Sequence, residues 1–254
     1  MSSRLTAHPV RGDQATIGLA LAAALVASWL GCHLYGVFVH RWTALGIVAA
    51  PALILLQCWL NVGLFIVAHD CMHGSLAPGL PRLNGAIGRI CLALYAGFSY
   101  GSLRAKHVAH HRFSGTEHDP DFHPGAPRRF WPWYLAFFRR YFGWKEFGIL
   151  TAILATYLVA LRASPVNALL LWGVPAILSS LQLFFFGTYL PHRHEDAPFA
   201  DRHNARSTEL SRLASLVTCF HFGGFHHEHH DDPGTPWWKL PRARRRDAAQ
   251  PGRA

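Results

Sequence analysis

The sequence predicts an all-α integral membrane protein with four transmembrane helices and a histidine-rich cap on the cytoplasmic side. Three observations carry the prediction. Hydrophobic residues make up 51% of the chain and charged ones only 15%, against roughly a quarter charged in ordinary globular proteins. Four uncharged runs approach or exceed membrane length. The 18 histidines gather beside those runs at helical spacings.

Taken in order, the first run is Ala15 to Val39 and the second Thr43 to Ala68, giving spans at 15–39 and 43–68. Crossing the hydrocarbon takes about 20 apolar residues at 1.5 Å each, so both suffice unaided. Arg4 and Arg11 precede the first run as they would in a signal peptide. The run is long, however, and a second follows at once, which predicts an uncleaved span. Ile90 to Leu103, bounded by Arg89 and Arg104, has the length of an interfacial or re-entrant segment, so 90–103 is expected in or near the membrane surface. The third run, Phe147 to Leu161, is short. Borrowing flanking residues extends it to 145–162, with Arg162 snorkelling to the interface. The fourth, Val166 to Leu190, spans 166–190. The remainder forms a cap of 69–144 and 191–241 and a basic tail of 242–254. No repeat or shift of composition marks a second domain, so 1–254 reads as one.

Charge orients this topology. Of 24 Lys and Arg, only Arg41 and Arg162 fall on one side. The positive-inside rule then makes both termini and the cap cytoplasmic. Anionic lipid head groups account for the basic excess, so no nucleic-acid partner is implied. The run Arg242, Arg244, Arg245 and Arg246 reads as a solvated, lipid-facing tail or as a docking patch for an acidic electron carrier.

In "AHDCMHGS", His69 and His73 lie four apart, and Gly74 is placed to end the helix. "KHVAHHRF" sets His107, His110 and His111 at i, i+3 and i+4, one face if the segment is helical. His192 follows the fourth span in "TYLPHRHED", and "HHEHH" repeats the spacing with His226, His229 and His230. Such a set, gathered on one side of the membrane, points to metal binding. A catalytic zinc takes three protein ligands, so this set is too large for one zinc, and the H-E-x-x-H signature is absent. Two metals with open positions fit the count. Imidazole suits iron, copper and zinc alike. Iron is favoured because a redox pair beside an apolar phase can activate dioxygen against an unreactive C–H bond. A metal transporter is the rival from another class, but it would place ionisable residues inside the spans, which hold almost none. His8, His33, His40 and His194 read as interfacial polar residues, His118 and His123 as loop residues, and His203 and His221 as intermediate cases.

These boxes resemble those of the membrane fatty acid desaturase and hydroxylase superfamily. The surrounding stretches "HDPDF", "LPHR" and "PWWKLP" are similar to those of the bacterial β-carotene 4-ketolases, a likeness that runs from about residue 60 to residue 241. The resemblance implies a desaturase-like fold in the bacterial cytoplasmic (inner) membrane and a non-haem di-iron, O2-dependent oxygenase. Its electrons would come from ferredoxin or a similar donor. It implies conversion of the C4 methylene of β-ionone rings to a ketone, through two hydroxylations and loss of water. β-Carotene would give echinenone and canthaxanthin, and a ring already 3-hydroxylated would lead to astaxanthin. A carotenoid 3-hydroxylase and a fatty acid desaturase share the boxes and remain alternatives.

Carried over residue by residue, the family's nine metal ligands fall on His69, His73, His107, His110, His111, His192, His226, His229 and His230. A tenth contact, an asparagine acting through water, falls on Thr188. His118 and His194 are further departures, standing where the family pattern has an acidic residue and a proline. Asp70, Asp119, Asp121 and Glu228 are candidates for orienting ligand imidazoles, since a metal-bound His usually donates its other N–H to a carboxylate or carbonyl. Asp119 to Asp121 reads equally as a turn. Thr188, Arg193 and His227 complete the supporting candidates, with Arg202 and Asn204 by family pattern alone. Phe65, Tyr95, Phe98, Phe185, Tyr189 and Trp237 are the candidates to line a path for a carotenoid arriving from the bilayer, each with packing as its alternative.

Overall fold

The computed structural model describes residues 12–249, and among them every regular element is helical. His8, Arg4, Arg11 and the side chains of Arg245 and Arg246 lie outside the described residues. Helix α1, Gly12–Leu34, runs on through a π turn, Tyr35–Val39. A four-residue link leads to α2, Ala44–His73, whose N-cap Thr43 accepts a hydrogen bond from Gly46 N at 3.2 Å. The link is held from afar: Asn167 donates to the His40 carbonyl at 3.0 Å and accepts from Trp42 Nε1 at 2.7 Å.

At 1.5 Å per residue α2 is roughly 45 Å long, more than a hydrocarbon core of about 30 Å requires. It continues unbroken past the predicted end at residue 68, so His69 and His73 ride on its last turns. Gly74 then ends it in the left-handed region, φ 74°, a conformation that glycine adopts without steric penalty.

Helix α3, Pro81–Ala96, packs along α2, and α4, Tyr100–Phe113, follows after a turn at Gly97. The segment 90–103, read from sequence as one interfacial piece, is therefore the end of one helix and the start of another. Its apolar run is continuous, but Gly97 at φ 69° breaks the helix. Ser99 caps α4, the helix that carries His107, His110 and His111.

Helix α5, Phe130–Tyr141, and α6, Trp144–Ala155 with a π turn to Ala160, meet at 77°. Helix α7 is the long composite Pro165–His192, with π turns at Ala168–Gly173 and Phe185–Tyr189. Among the described residues three helices, Asp13–Val39, Ala44–His73 and Pro165–His192, are long and apolar enough to cross a membrane. The bent pair Phe130–Tyr141 and Trp144–Ala160 makes a fourth if it acts as one span. Two short helices, α8 at Arg212–Cys219 and α9 at His226–Asp231, lead to a 3-10 turn at Trp237–Lys239 and to α10, Leu240–Ala249. The basic tail of 242–254 is thus helical as far as it is described, within a helix that starts directly after the 3-10 turn.

One core joins α1, α2 and α3 to the α8–α9 segment through Trp29, Leu64, Leu92, Phe220 and Phe222. A smaller one packs Trp133 and Tyr134 of α5 on Phe184 and Tyr189 of α7. Inside the first, Trp29 Nε1 donates to Asn61 Oδ1 at 2.6 Å, linking α1 to α2. Gly18 lets α1 close on the loop after α2, since a Cβ there would stand 2.1 Å from the Leu76 carbonyl oxygen. Backbone cannot yield cheaply, so Gly18→Ala is expected to destabilise the fold by about 1–3 kcal/mol. A lower thermal midpoint in detergent would register this, and an unchanged midpoint would show that the approach is not constrained.

Candidate metal centre

The nine spaced histidines come from four elements that are distant in sequence and meet at one end of the bundle. They form two groups. His69, His73, His107, His111 and His229 make one and His110, His192, His226 and His230 the other, the ligand atoms within each lying no more than 4.8 Å apart. Helix geometry explains the membership: i, i+3 and i+4 share a face, so α4 and α9 each present a broad edge that supplies both groups. The groups touch where His111 stacks on His230, ring centroids 4.2 Å apart.

The Nε2 atoms point inward. His73 and His107 approach to 2.6 Å, His192 and His226 to 2.9 Å, and His229 and His111, like His230 and His226, to 3.1 Å. Two neutral imidazoles can share one hydrogen bond, but a convergence of four or five acceptor nitrogens needs a cation. Two nitrogens each about 2.1 Å from a common ion stand roughly 3 Å apart, so the spacing fits. Burial favours the neutral, ligating form of most of these rings. Burial, reinforced by neighbouring imidazoles, holds His107, His226, His229 and His230 well below the ordinary histidine pKa and lowers that of His111 too.

His110 is the exception. Burial acts to lower its pKa, but the Asp119 and Asp121 carboxylates reverse the effect and hold it above the ordinary value. Its Nδ1 donates to both oxygens of Asp119 at 2.9 and 3.0 Å, leaving Nε2 free as a donor atom. Asp119 also accepts from the backbone N–H groups of Gly115 and Asp121, both at 2.8 Å. His192 Nδ1 donates to the Asn204 carbonyl at 2.8 Å, with Ser114 Oγ at 3.1 Å.

The other supporting candidates fall in different places. Asp70 accepts from Trp237 N–H at 3.1 Å, while its second oxygen stands 3.6 Å from His69 Nδ1, outside hydrogen-bond range. Thr188 is buried on a cavity wall. Arg193, His227 and Glu228 pair with groups other than the nine histidines. The chain leaves helical geometry at Arg193, which pairs with Glu195 at 2.7 Å. On α9, positions i+1 and i+2 turn away from the face shared by i, i+3 and i+4. His227 accordingly meets Asp201 at 2.7 Å, and Glu228 takes Ser207 and Arg244. Arg244, read as part of a lipid-facing tail, instead fastens α10 to α9 through Glu228 and the Gly224 carbonyl.

Arg202 and His118 are exposed. His194 stacks on Phe122 with its ring 4.9 Å away, His33 stacks on Trp29, and His221 faces Ser215. His203 lies with its ring 6.2 Å from that of His230. Ser114 and Tyr141 were missed. Neither carries a sequence signal, because each matters only through a partner brought in by tertiary contact.

A cavity of about 890 Å3 ends on His69, His107, His110 and His226. It lies between the bent pair α5/α6 and the helices α2 and α7, with walls from Phe65, Tyr95, Phe98, Phe138, Leu150 and Leu183. On α7 the lining reaches from Pro165 to Thr188, roughly 35 Å of helix. Phe185, Tyr189 and Trp237, candidates for this path, lie off it. Phe185 and Tyr189 pack with Phe130, and Trp237 packs on Phe220. The π turn at Phe185–Tyr189 rotates Gly187 and Thr188 toward the cavity instead.

The fatty acid desaturase model matches residues 42–150 and 146–254. A protein of Paracoccus sp. (strain PC1) named beta-carotene ketolase is 50% identical over 229 residues, covering 90% of this chain and 93% of its own. Another of that name, from Paracoccus sp. (strain N81106 / MBIC 01143), is 46% identical over 241 residues, covering 94% and 98%. A zeaxanthin 4-ketolase of Chlamydomonas reinhardtii is 36% identical over 93% of this chain and 55% of its own.

Proposed function

The chain belongs to the fatty acid desaturase family, among its β-carotene ketolases, and on that premise we propose that it is an O2-dependent oxygenase that makes the C4 methylene of β-ionone rings a ketone. β-Carotene would yield echinenone and then canthaxanthin, and zeaxanthin would yield astaxanthin. The cofactor is two irons, one in each histidine group, and the electrons come from a ferredoxin-type donor. The protein crosses the bacterial cytoplasmic membrane four times, the bent α5/α6 pair supplying one crossing, with the histidine end and both termini cytoplasmic. The distribution of Lys and Arg supports this orientation.

One observation carries the substrate class: the long apolar cavity ends on the histidines of both groups. Bound iron would supply the dioxygen chemistry that no side chain offers. The residues of this chain do the rest. Aromatic side chains of the cavity wall, among them Phe65, Phe98 and Phe222, hold the ring and exclude water. The apolar wall along α7 holds the rest of the rod, so that one ring carbon lies by the histidines, and such positioning supplies much of the rate. Asp119 keeps a proton on His110 Nδ1 and so fixes the ring.

Pigments of cells that make β-carotene and express this chain, separated by chromatography and identified by mass spectrometry, test the reading. Echinenone and canthaxanthin are expected. Zeaxanthin would reassign the chain as a 3-hydroxylase, and unchanged β-carotene with iron-loaded protein present would exclude an oxygenase of unsubstituted β-ionone rings and turn the search to the lipid fraction for a desaturase.

A further inference from the structure

The cavity holds one acid whose carboxylate makes no hydrogen bond to the histidine centre. Asp119 takes the single Nδ1–H of His110, so that ring has no hydrogen left for Asp121. Asp121 Oδ1 accepts from the Tyr141 hydroxyl. Its Oδ2 stands 3.7 Å from His110 Nδ1, too far for a hydrogen bond, and none of the described residues donates to it. Both Asp121 and Tyr141 line the cavity beside His110 and the phenyl rings of Phe137 and Phe138. Of the other hydroxyls on the wall, Tyr95 is engaged with Ser179, Ser180 with Tyr134 and Thr151 with its own helix, while Thr188 on α7 has no hydrogen-bond partner among the described residues. A carboxylate oxygen left bare in an apolar cavity is costly until a donor reaches it.

The acid is also held in place. Its N–H donates to Asp119 at 2.8 Å, and its carbonyl accepts from Trp133 Nε1 at 2.6 Å. Lys106 Nζ lies 4.4 Å from the centre of the Tyr141 ring. Such support is what a recognition group needs, because a misplaced acceptor discriminates poorly.

Resting on the oxygenase reading above, we propose that Asp121, positioned by Tyr141, is a hydroxyl-recognition group that favours β-ionone rings already hydroxylated at C3. C3 is bonded to C4, so a ring with C4 at the histidines carries its hydroxyl one carbon away, and the proposal pairs that hydroxyl with Oδ2, which lines the same cavity beside His110. An unsubstituted ring leaves that oxygen bare. The subsite therefore discriminates by what it leaves unpaired as well as by the bond it makes.

The test compares zeaxanthin with β-carotene on the purified, iron-loaded protein in detergent, with reduced ferredoxin and O2. Binding of the same two carotenoids is followed separately by quenching of tryptophan fluorescence in metal-free protein. In Asp121→Ala the zeaxanthin to β-carotene ratio of kcat/KM is expected to fall about tenfold, and the binding preference to fall with it. Tyr141→Phe, which removes one oxygen atom, should lower both ratios by a smaller factor, and it carries the test if Asp121→Ala does not fold. Equal losses on both carotenoids, with neither ratio moved, would overturn the proposal and leave Asp121 as support for His110. If the wild type converts neither carotenoid, the oxygenase reading fails and binding alone decides. A zeaxanthin preference lost in the variants keeps the subsite, and equal binding removes it.

Discussion

His229→Ala is expected to abolish oxygenation and to strip iron from the five-histidine group. His229 is buried, its Nε2 lies 3.1 Å from that of His111, and its ring lies 4.6 Å from that of His69. Removing it leaves a hole between α2 and α4 that the remaining rings cannot close. Loss of a group that only supports a ligand typically costs 10–100-fold in metal affinity or activity, so loss of a ligand should exceed about 100-fold. His110→Ala should do the same to the four-histidine group. His118→Ala, on an exposed loop, is the control and should stay within about twofold. Iron per polypeptide and the pigment profile read the three variants together. Full iron and undiminished keto product in both His229→Ala and His110→Ala would eliminate the proposed centre.

Asp119→Ala should be the most damaging change outside the nine histidines. Asp119 satisfies three donors, the buried His110 Nδ1 and Gly115 N–H and the half-buried N–H of Asp121. Each donor left bare costs about 1–3 kcal/mol, although the terms need not add. His110 would also lose the group that fixes its ring, and a 10–100-fold loss of iron affinity follows. Asp119→Asn keeps one acceptor oxygen without the charge and should fall between. The measurement is iron retention against a chelator, beside thermal unfolding of the metal-free protein. A chelator profile for Asp119→Ala that overlays the wild type would show that Asp119 serves the loop alone.

Local geometry made much of this legible. The spacing of His107, His110 and His111 says that they share a helical face, because 3.6 residues per turn allow little else. Gly74 and the apolar runs mark helix ends and membrane-length helices by the same local physics, and the boxes with their flanks carry the family. Other features depended on packing between segments far apart in the chain. The pattern could not say that α4 and α9 each split their histidines between two groups, because that follows from how those helices cross α2 and α7. It could not say that Glu228 faces Arg244 in place of an imidazole, that Gly97 divides an apolar run, or that Phe185 and Tyr189 turn away from the cavity at a π turn. The sequence by itself determined which residues could ligate and on which faces they stand, since those are properties of single helices. Tertiary structure alone decided which imidazoles share a centre, which acid serves which ring and where the cavity runs, since hydrogen bonds and cavities form between elements whose contacts no local spacing encodes.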